Sequence, residues 1–288
     1  MALALGAALG TLALKGFAYG LTGSVALLSD AAESLINLTA AIIALIALEI
    51  ASRPADATHA YGHEKAEYFS SGVEGVLILG AAAGISYKAW ERFRNPVPLS
   101  DLPEGLGIAV LAALVNGGVA YALLRMARRN ESITLEAHAK HLLTDVWTTA
   151  GVVGGLGAVL LTGWWWLDPL IATAVALNIV VSGVELLKRS TRGLMDYALP
   201  PEELRIIERV LQRYTENGRV TYHRLRTRRA GRKRFIDFHL LVPGERTVQE
   251  THDLCEEIEA ELRKALGGEA SITIHVEPVE DPASFEEP

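Results

Sequence analysis

The sequence predicts a membrane α-helical bundle of six transmembrane helices followed by a small C-terminal α+β domain. Three observations carry this. The 288 residues are 50% hydrophobic, with a mean hydropathy of +0.24 and a formal charge of -7, an odd balance for one soluble domain but a natural one for an apolar half joined to a polar half. From Met1 to about Ser190, apolar runs alternate with short charged stretches, whereas from Pro200 onward Glu, Arg and Lys recur every few residues. The apolar half also contains six stretches near the roughly 20 residues that a bilayer core of about 30 Å requires. The predicted division is residues 1–195 for the membrane part and 196–288 for the tail.

The six stretches are Ala2 to Leu21, Val25 to Ala51, Tyr68 to Trp90, Leu106 to Met126, Leu142 to Leu161 and Leu167 to Leu187. The first reads as a retained helix and not as a signal peptide, because no basic residue precedes it and no polar mature domain follows it. Glycines in Gly72 to Gly84 and Gly151 to Gly157 allow helix backbones to approach closely, as membrane bundles need. Arg53 and Lys65, then Arg125, Arg128, Arg129 and Lys140, then Lys188, Arg189 and Arg192 fall in alternate loops, against Lys88, Arg92 and Arg94 on the other side. That bias puts both termini and the tail in the cytoplasm, with Trp164, Trp165 and Trp166 at the outer interface.

The tail reads as helix (Pro201 to Glu216), strand (Arg219 to Arg228), strand (Arg234 to Val242), helix (Val248 to Leu266) and strand (Ala270 to Glu277). Pro200 and Pro201 start it, and Asn217-Gly218 and Gly267-Gly268 stop its helices. The basic cluster Arg224, Arg226, Arg228, Arg229, Arg232, Lys233, Arg234 lies in an otherwise acidic domain, so it reads as a solvated hairpin and no nucleic-acid partner is expected. The single cysteine, Cys255, excludes an internal disulfide and reads as a small hydrophobe.

Ionisable residues inside an apolar span cost about 2.5 to 3.5 kcal/mol each on insertion scales, so each calls for a reason. The second span holds Asp30, Glu33 and Asn37, and the fifth begins with His141 and Asp145. Glu33 to Asn37 and His141 to Asp145 are both spaced i, i+4, which places each pair on one helix face. Opposed, the two faces form a cage of two carboxylates, an amide oxygen and an imidazole, a donor set that suits a tetrahedral zinc-like ion and neutralises it. The alternative is a set of interhelical hydrogen bonds, but two carboxylates with no cation would be expensive. Asp30 reads as structural or pathway-lining. Asp56, His59 and His63 lie in the loop after the second span, either solvated or around an ion. His223, His239, His252, His275 and Glu277 are spread over separate tail elements, either as surface residues or as ligands.

The run Ser24 to Asn37, the His141-Leu142-Leu143-Thr144-Asp145 segment and the loop Tyr61-Gly62-His63-Glu64-Lys65-Ala66-Glu67 together resemble the cation diffusion facilitators, over nearly the whole chain. The resemblance implies a homodimeric, proton-coupled antiporter of the bacterial inner membrane that exports divalent transition metals by alternating access. It also implies a ferredoxin-like (metallochaperone-like) tail. By position, Glu33, Asn37, His141 and Asp145 would be the transport site and Asp56, His59 and His63 a loop site. His223, His239, His252, His275 and Glu277 would form a binuclear site at a dimer interface, and Lys65 and Asp196 a pair that links the membrane domains across the dimer. Glu33 and Asn37 stand where zinc members commonly carry His and Asp or Asp and Asp, and Glu277 where relatives often have Asp. Almost no leader precedes the first span, which reads as a start codon upstream of Met1.

The expected partners are a second copy of the chain, divalent cations, protons and the lipid bilayer. The metal ions serve as cargo and as tail ligands, with no other cofactor. Mixed oxygen and nitrogen donors suit zinc first and iron second, then cobalt and cadmium, and disfavour copper(I). Two rival readings are an intramembrane metalloenzyme, for which the chain lacks a motif such as HExxH, and a membrane-anchored metal sensor, which would leave the buried carboxylates without a role.

Overall fold

The structure is a computed structural model and describes residues 2–130, 133–216 and 218–285. Six long helices come first: α1 (Ala2–Thr22), α2 (Val25–Ala51), α3 (Ala66–Arg94), α4 (Leu102–Asn130), α5 (Ile133–Thr162) and α6 (Leu167–Leu194). The tail follows as α7 (Pro201–Thr215), β1 (Thr221–Ala230), β2 (Lys233–Val242), α8 (Val248–Leu266) and β3 (Ala270–Pro278), closed by a short 3-10 turn at Pro282–Phe285. Among the described residues five helices, α2 to α6, are long and apolar enough to cross a membrane. α3, α4 and α5 each extend past the expected apolar stretch, α5 by nine residues at its start. Hydropathy marks only the lipid-facing length of a helix, whereas Glu136 and Lys140 continue the same helix beyond it.

The chain divides into two compact units, one comprising Met1–Ile46 and Ser70–Lys188, the other Ala47–Phe69 and Arg189–Pro288. In the first, α4 packs against α1 and α5. Small residues set the helix spacing: a Cβ on Gly75 would come within 2.9 Å of Leu187, and one on Gly183 within 2.9 Å of Ile78, so α3 and α6 meet through reciprocal glycines. Asp168, at the start of α6 and fully buried, caps the N-terminus of α2. Its carboxylate accepts from Ser24 Oγ at 2.5 Å and from the backbone N–H groups of Val25 and Ala26 at 3.1 and 3.0 Å. Those donors have no intrahelical acceptor, and the cap satisfies them where water is excluded.

The second unit contains the sheet, in the order β1-β2-β3, with β1 and β2 antiparallel and β2 and β3 parallel. Residues of β2 alternate: Ile236, Phe238, Leu240 and Val242 pack with Ile207, Val210 and Leu211 of α7 and Ile258 and Leu262 of α8, so both helices cover one face. His239, two residues from Asp237, points to the other face. α8 opens on a capping box between Thr247 and Glu250 and ends on Gly267 at φ 61. Strand β1 runs two residues later than expected, because β1 and β2 join through a two-residue turn at Gly231 and Arg232 with Gly231 at φ 54.

Asp168→Ala should lower the stability of the helical unit by about 1 to 3 kcal/mol, since it leaves buried N–H groups unpaired. Thermal unfolding of the full chain in detergent should show a melting point several degrees lower, partly recovered by Asp168→Asn, which keeps one acceptor oxygen. An unchanged melting point would remove the cap from the account of the fold.

Candidate metal centres

The membrane pairs meet as the helical spacing requires. Asn37 on α2 donates from Nδ2 to Asp145 Oδ1 on α5 at 3.4 Å, and Asp145 is buried. Glu33, one turn before Asn37, has a buried Oε2 with no hydrogen-bond partner, and its carboxylate lies within Coulombic reach of Asp145, Asp30 and Lys15. A buried carboxylate oxygen without a donor calls for an explanation, and a bound ion is one. Three of the four expected cage residues are therefore adjacent. His141 lies on α5 one turn before Asp145, but its side chain is outside the described residues.

Asp30 has a defined structural role: it forms an ion pair with Lys15 of α1 at 2.9 Å and accepts from Thr149 Oγ1 of α5 at 3.0 Å. Sequence reasoning missed Lys15. The signal was present, since a lone lysine in the middle of an apolar span demands a carboxylate partner. The buried Asn116 of α4 was missed as well.

Asp56, His59 and His63 form a cluster within the loop. The Asp56 carboxylate accepts from the backbone N–H of Thr58 and His59 at 2.8 and 2.7 Å and from Thr58 Oγ1 at 2.8 Å, which closes an Asx-type turn. These bonds, the Thr58 hydroxyl first, hold its carboxyl well below the usual carboxylate range. Both imidazoles then sit 3.4 Å from its two oxygens, with the rings 4.3 Å apart. His63 Nδ1 is buried without a partner.

The loop belongs to the same unit as the tail. Tyr61 packs edge-on against Phe235 at 5.9 Å, and the Arg228 guanidinium lies 3.9 Å from the Phe235 ring centre and 5.5 Å from that of Tyr61. Lys65 pairs with Asp196 at 2.9 Å within the chain. Asp196, at φ 54, turns the chain just after α6 and brings its carboxylate back to the loop. The basic hairpin is less solvated than its composition suggests. Arg228 pairs with Asp196, and Arg229 and Arg234 both bond Glu203, because α7 places that carboxylate beside the turn.

In the tail, register gathers residues from three strands. His223 on β1 is paired with His239 on β2, and His239 with His275 on β3, so the three imidazoles form one row across the helix-free face. Glu277, two residues after His275, shares that face. Its Oε2 lies 2.9 Å from His223 Nε2 and its Oε1 lies 2.9 Å from His239 Nδ1 and 3.5 Å from His275 Nε2. His223, His239 and Glu277 fall within the reach of one ion. Burial alone would raise the Glu277 carboxyl, but hydrogen bonds with His223 and His239 outweigh it and hold the pKa below its ordinary value. His252, exposed on α8, is not part of this group.

A β-bulge makes the row possible. The pairing passes from His223↔His239 to Arg226↔Asp237, so Arg224 and Leu225 together oppose Phe238, with Arg224 at φ 50. The extra residue resets the alternation: Leu225 reaches the core while His223 and Arg226 share the open face. His223→Ala/Glu277→Ala should therefore lower the zinc retained by purified full-length protein after dialysis, since it removes two members of the row. Arg224→Gly should retain that zinc and relieve about 1 kcal/mol of left-handed backbone strain. Equal zinc in the double variant and the wild type would show that the row is not a metal site.

Known proteins resemble the chain over nearly its whole length. Residues 1–195 match the family model of the cation efflux transmembrane domain, and residues 199–279 that of the cation efflux protein cytoplasmic domain. The chain is 49% identical over 286 residues to the uncharacterized transporter sll1263 of Synechocystis sp., covering 99% of this chain and 92% of that protein. It is 31% identical over 275 residues to the cation-efflux pump FieF of Shewanella oneidensis, covering 95% and 91%. Among solved structures, the metal-bound C-terminal domain of the CzcD transporter from Thermotoga maritima is 34% identical, covering 29% of this chain and 99% of that one, with a TM-score of 0.26. These relatives are transporters and not enzymes, and the chain belongs to the cation diffusion facilitator family of multi-pass divalent-metal efflux proteins.

Proposed function

We propose that this protein is a homodimer that exports divalent transition-metal ions, zinc first and iron second, from the bacterial cytoplasm across the inner membrane in exchange for protons. The observation that carries the reading is the buried meeting of Glu33 and Asn37 on α2 with Asp145 on α5, with Glu33 Oε2 lacking a donor. With His141 these residues offer two carboxylates, an amide oxygen and an imidazole to one divalent ion. On this reading all six helices span the bilayer, both termini are cytoplasmic, residues 1–195 form the transport domain and residues 196–288 a ferredoxin-like dimerisation domain.

Transport would proceed by alternating access. The ion enters the cage from the cytoplasm, the bundle rearranges, and protons from outside displace the ion by protonating His141 and a carboxylate, because ligands release metal when protonated. Asp145→Ala should abolish zinc flux in proteoliposomes while leaving folding and dimerisation intact. Near-normal flux would remove the transport-site assignment.

The tail row and the loop cluster would serve regulation, with His252 kept in the tail set on the family resemblance alone. An ion joining β1, β2 and β3 at Glu277 would stiffen the tail and favour one arrangement of the dimer, a coupling typically worth about 1 to 3 kcal/mol. His239→Ala/His275→Ala should therefore raise the zinc concentration for half-maximal flux and change the maximal rate much less than Asp145→Ala does. Acidification should strip tail zinc, because ligands release metal when protonated. A wild-type concentration dependence in the double variant would make the tail site structural only.

A further inference from the structure

The interior of the helical unit holds a charged pair beside the cage. Lys15 of α1 and Asp30 of α2 are each 1% exposed and meet at 2.9 Å. The Lys15 ammonium also donates to Ser34 Oγ at 2.9 Å, and Thr149 Oγ1 donates to Asp30 Oδ1 at 3.0 Å and to Oδ2 at 3.2 Å. Asp30 precedes Glu33 by three residues, Ser34 adjoins Glu33, and Thr149 follows Asp145 by four. The pair thus lies one helical turn from the cage on both helices that build it.

Three carboxylates, Asp30, Glu33 and Asp145, share this interior with one ammonium. Helix packing does not require such a pair, since apolar residues of similar volume hold a buried interface as well or better. A compact point charge fixed at this place does something that packing cannot. Charges a turn apart in a low-dielectric interior act on one another far more strongly than in water, so whatever neutralises Asp30 decides how negative the cage is.

We propose that Lys15 sets the charge that the cage presents to its cargo: by committing Asp30 to an ion pair, it leaves Glu33 and Asp145 as the two carboxylates that balance one divalent ion. This rests on the transport-site reading above. Lys15 acts through charge as a specificity-determining residue and is not itself a ligand. Without it, three carboxylates hold the ion more tightly and release it more slowly. Without the charge on Asp30, a bare ammonium repels the ion.

The test is zinc flux into proteoliposomes across a range of zinc concentrations at a fixed pH gradient, for Lys15→Met, Asp30→Asn and the double variant, with Asp145→Ala alongside. Lys15→Met should lower the half-saturating zinc concentration and the maximal flux, whereas Asp30→Asn should raise the half-saturating concentration, each by about tenfold. The double variant should return to within about threefold of wild type, because it restores the count of charges. A merely structural tie predicts shifts of the same sign in both single variants. Shifts of the same sign, no shift, or a double variant no nearer to wild type than the singles would each overturn the proposal. Where gel filtration shows that a single variant does not fold, the double variant decides, and its failure to fold or to transport would count against the proposal. Loss of flux in Asp145→Ala together with same-sign shifts would refute this inference alone. Normal flux in Asp145→Ala would refute the cage and the inference with it.

Discussion

The Lys15–Asp30 ion pair, 2.9 Å long and closed off from solvent, states the constraint under which the whole helical unit is built: a charge within apolar helices must be met where it stands. Asp168 meets the same constraint at the N-terminus of α2, where its carboxylate takes one hydroxyl and two backbone donors. Thr149 contributes a further bond to Asp30 and so draws α5 into the arrangement. Among the described residues of this unit, Glu33 Oε2 and Asn116 Oδ1 are buried side-chain oxygens without a hydrogen-bond partner. On the proposed reading, the bare Glu33 oxygen is the one that receives a cation.

A different device assembles the tail. Its candidate ligands come from three strands, and no helix spacing could align them. Strand register does so, since His223, His239 and His275 occupy one rung of the sheet and Glu277 reaches back along the same face. The bulge at Arg224 reconciles two demands on β1, that Leu225 enter the core and that His223 stay on the open face. The loop carrying Asp56, His59 and His63 is tied to this unit by Tyr61, Lys65 and Tyr68. The Tyr68 hydroxyl bonds the Arg229 carbonyl at 3.4 Å and accepts from Gly231 N–H at 3.2 Å.

Much of this was legible in the sequence, and the exceptions share a cause. The ends of α2 and α8 were read to the residue, because hydropathy fixes the first and the Thr247 and Gly267 caps fix the second. Glu33, Asn37 and Asp145 were legible because pairs spaced i, i+4 on two apolar helices have few geometric solutions. Spacing alone left the loop residues Asp56, His59 and His63 either solvated or around an ion, and the family resemblance pointed to the second. Lys15 escaped notice because its partner lies on another helix, 15 residues away. The Asp168 cap joins elements 144 residues apart, and the bulge at Arg224 follows from a core demand that no local pattern displays. The basic hairpin misled for the same reason, since Glu203 and Asp196, which pair with it, lie on other elements.

On the proposed reading the three centres divide their work by donor type and by what holds the donors. The cage is rich in oxygen, and its residues sit on two separate helices, so a small relative movement of α2 and α5 weakens the ion's hold; cargo has to be let go. The tail row is rich in nitrogen and fixed by the hydrogen bonds of one sheet, which favours retention of a zinc-like ion. Retention there still has a condition. Both Glu277 oxygens already engage histidines, so an ion must replace those hydrogen bonds and displace any proton they carry. Occupancy of the tail is thereby tied to cytoplasmic pH as well as to metal, and an exporter driven by inward-moving protons would carry in its tail a group that answers to both of the species it exchanges.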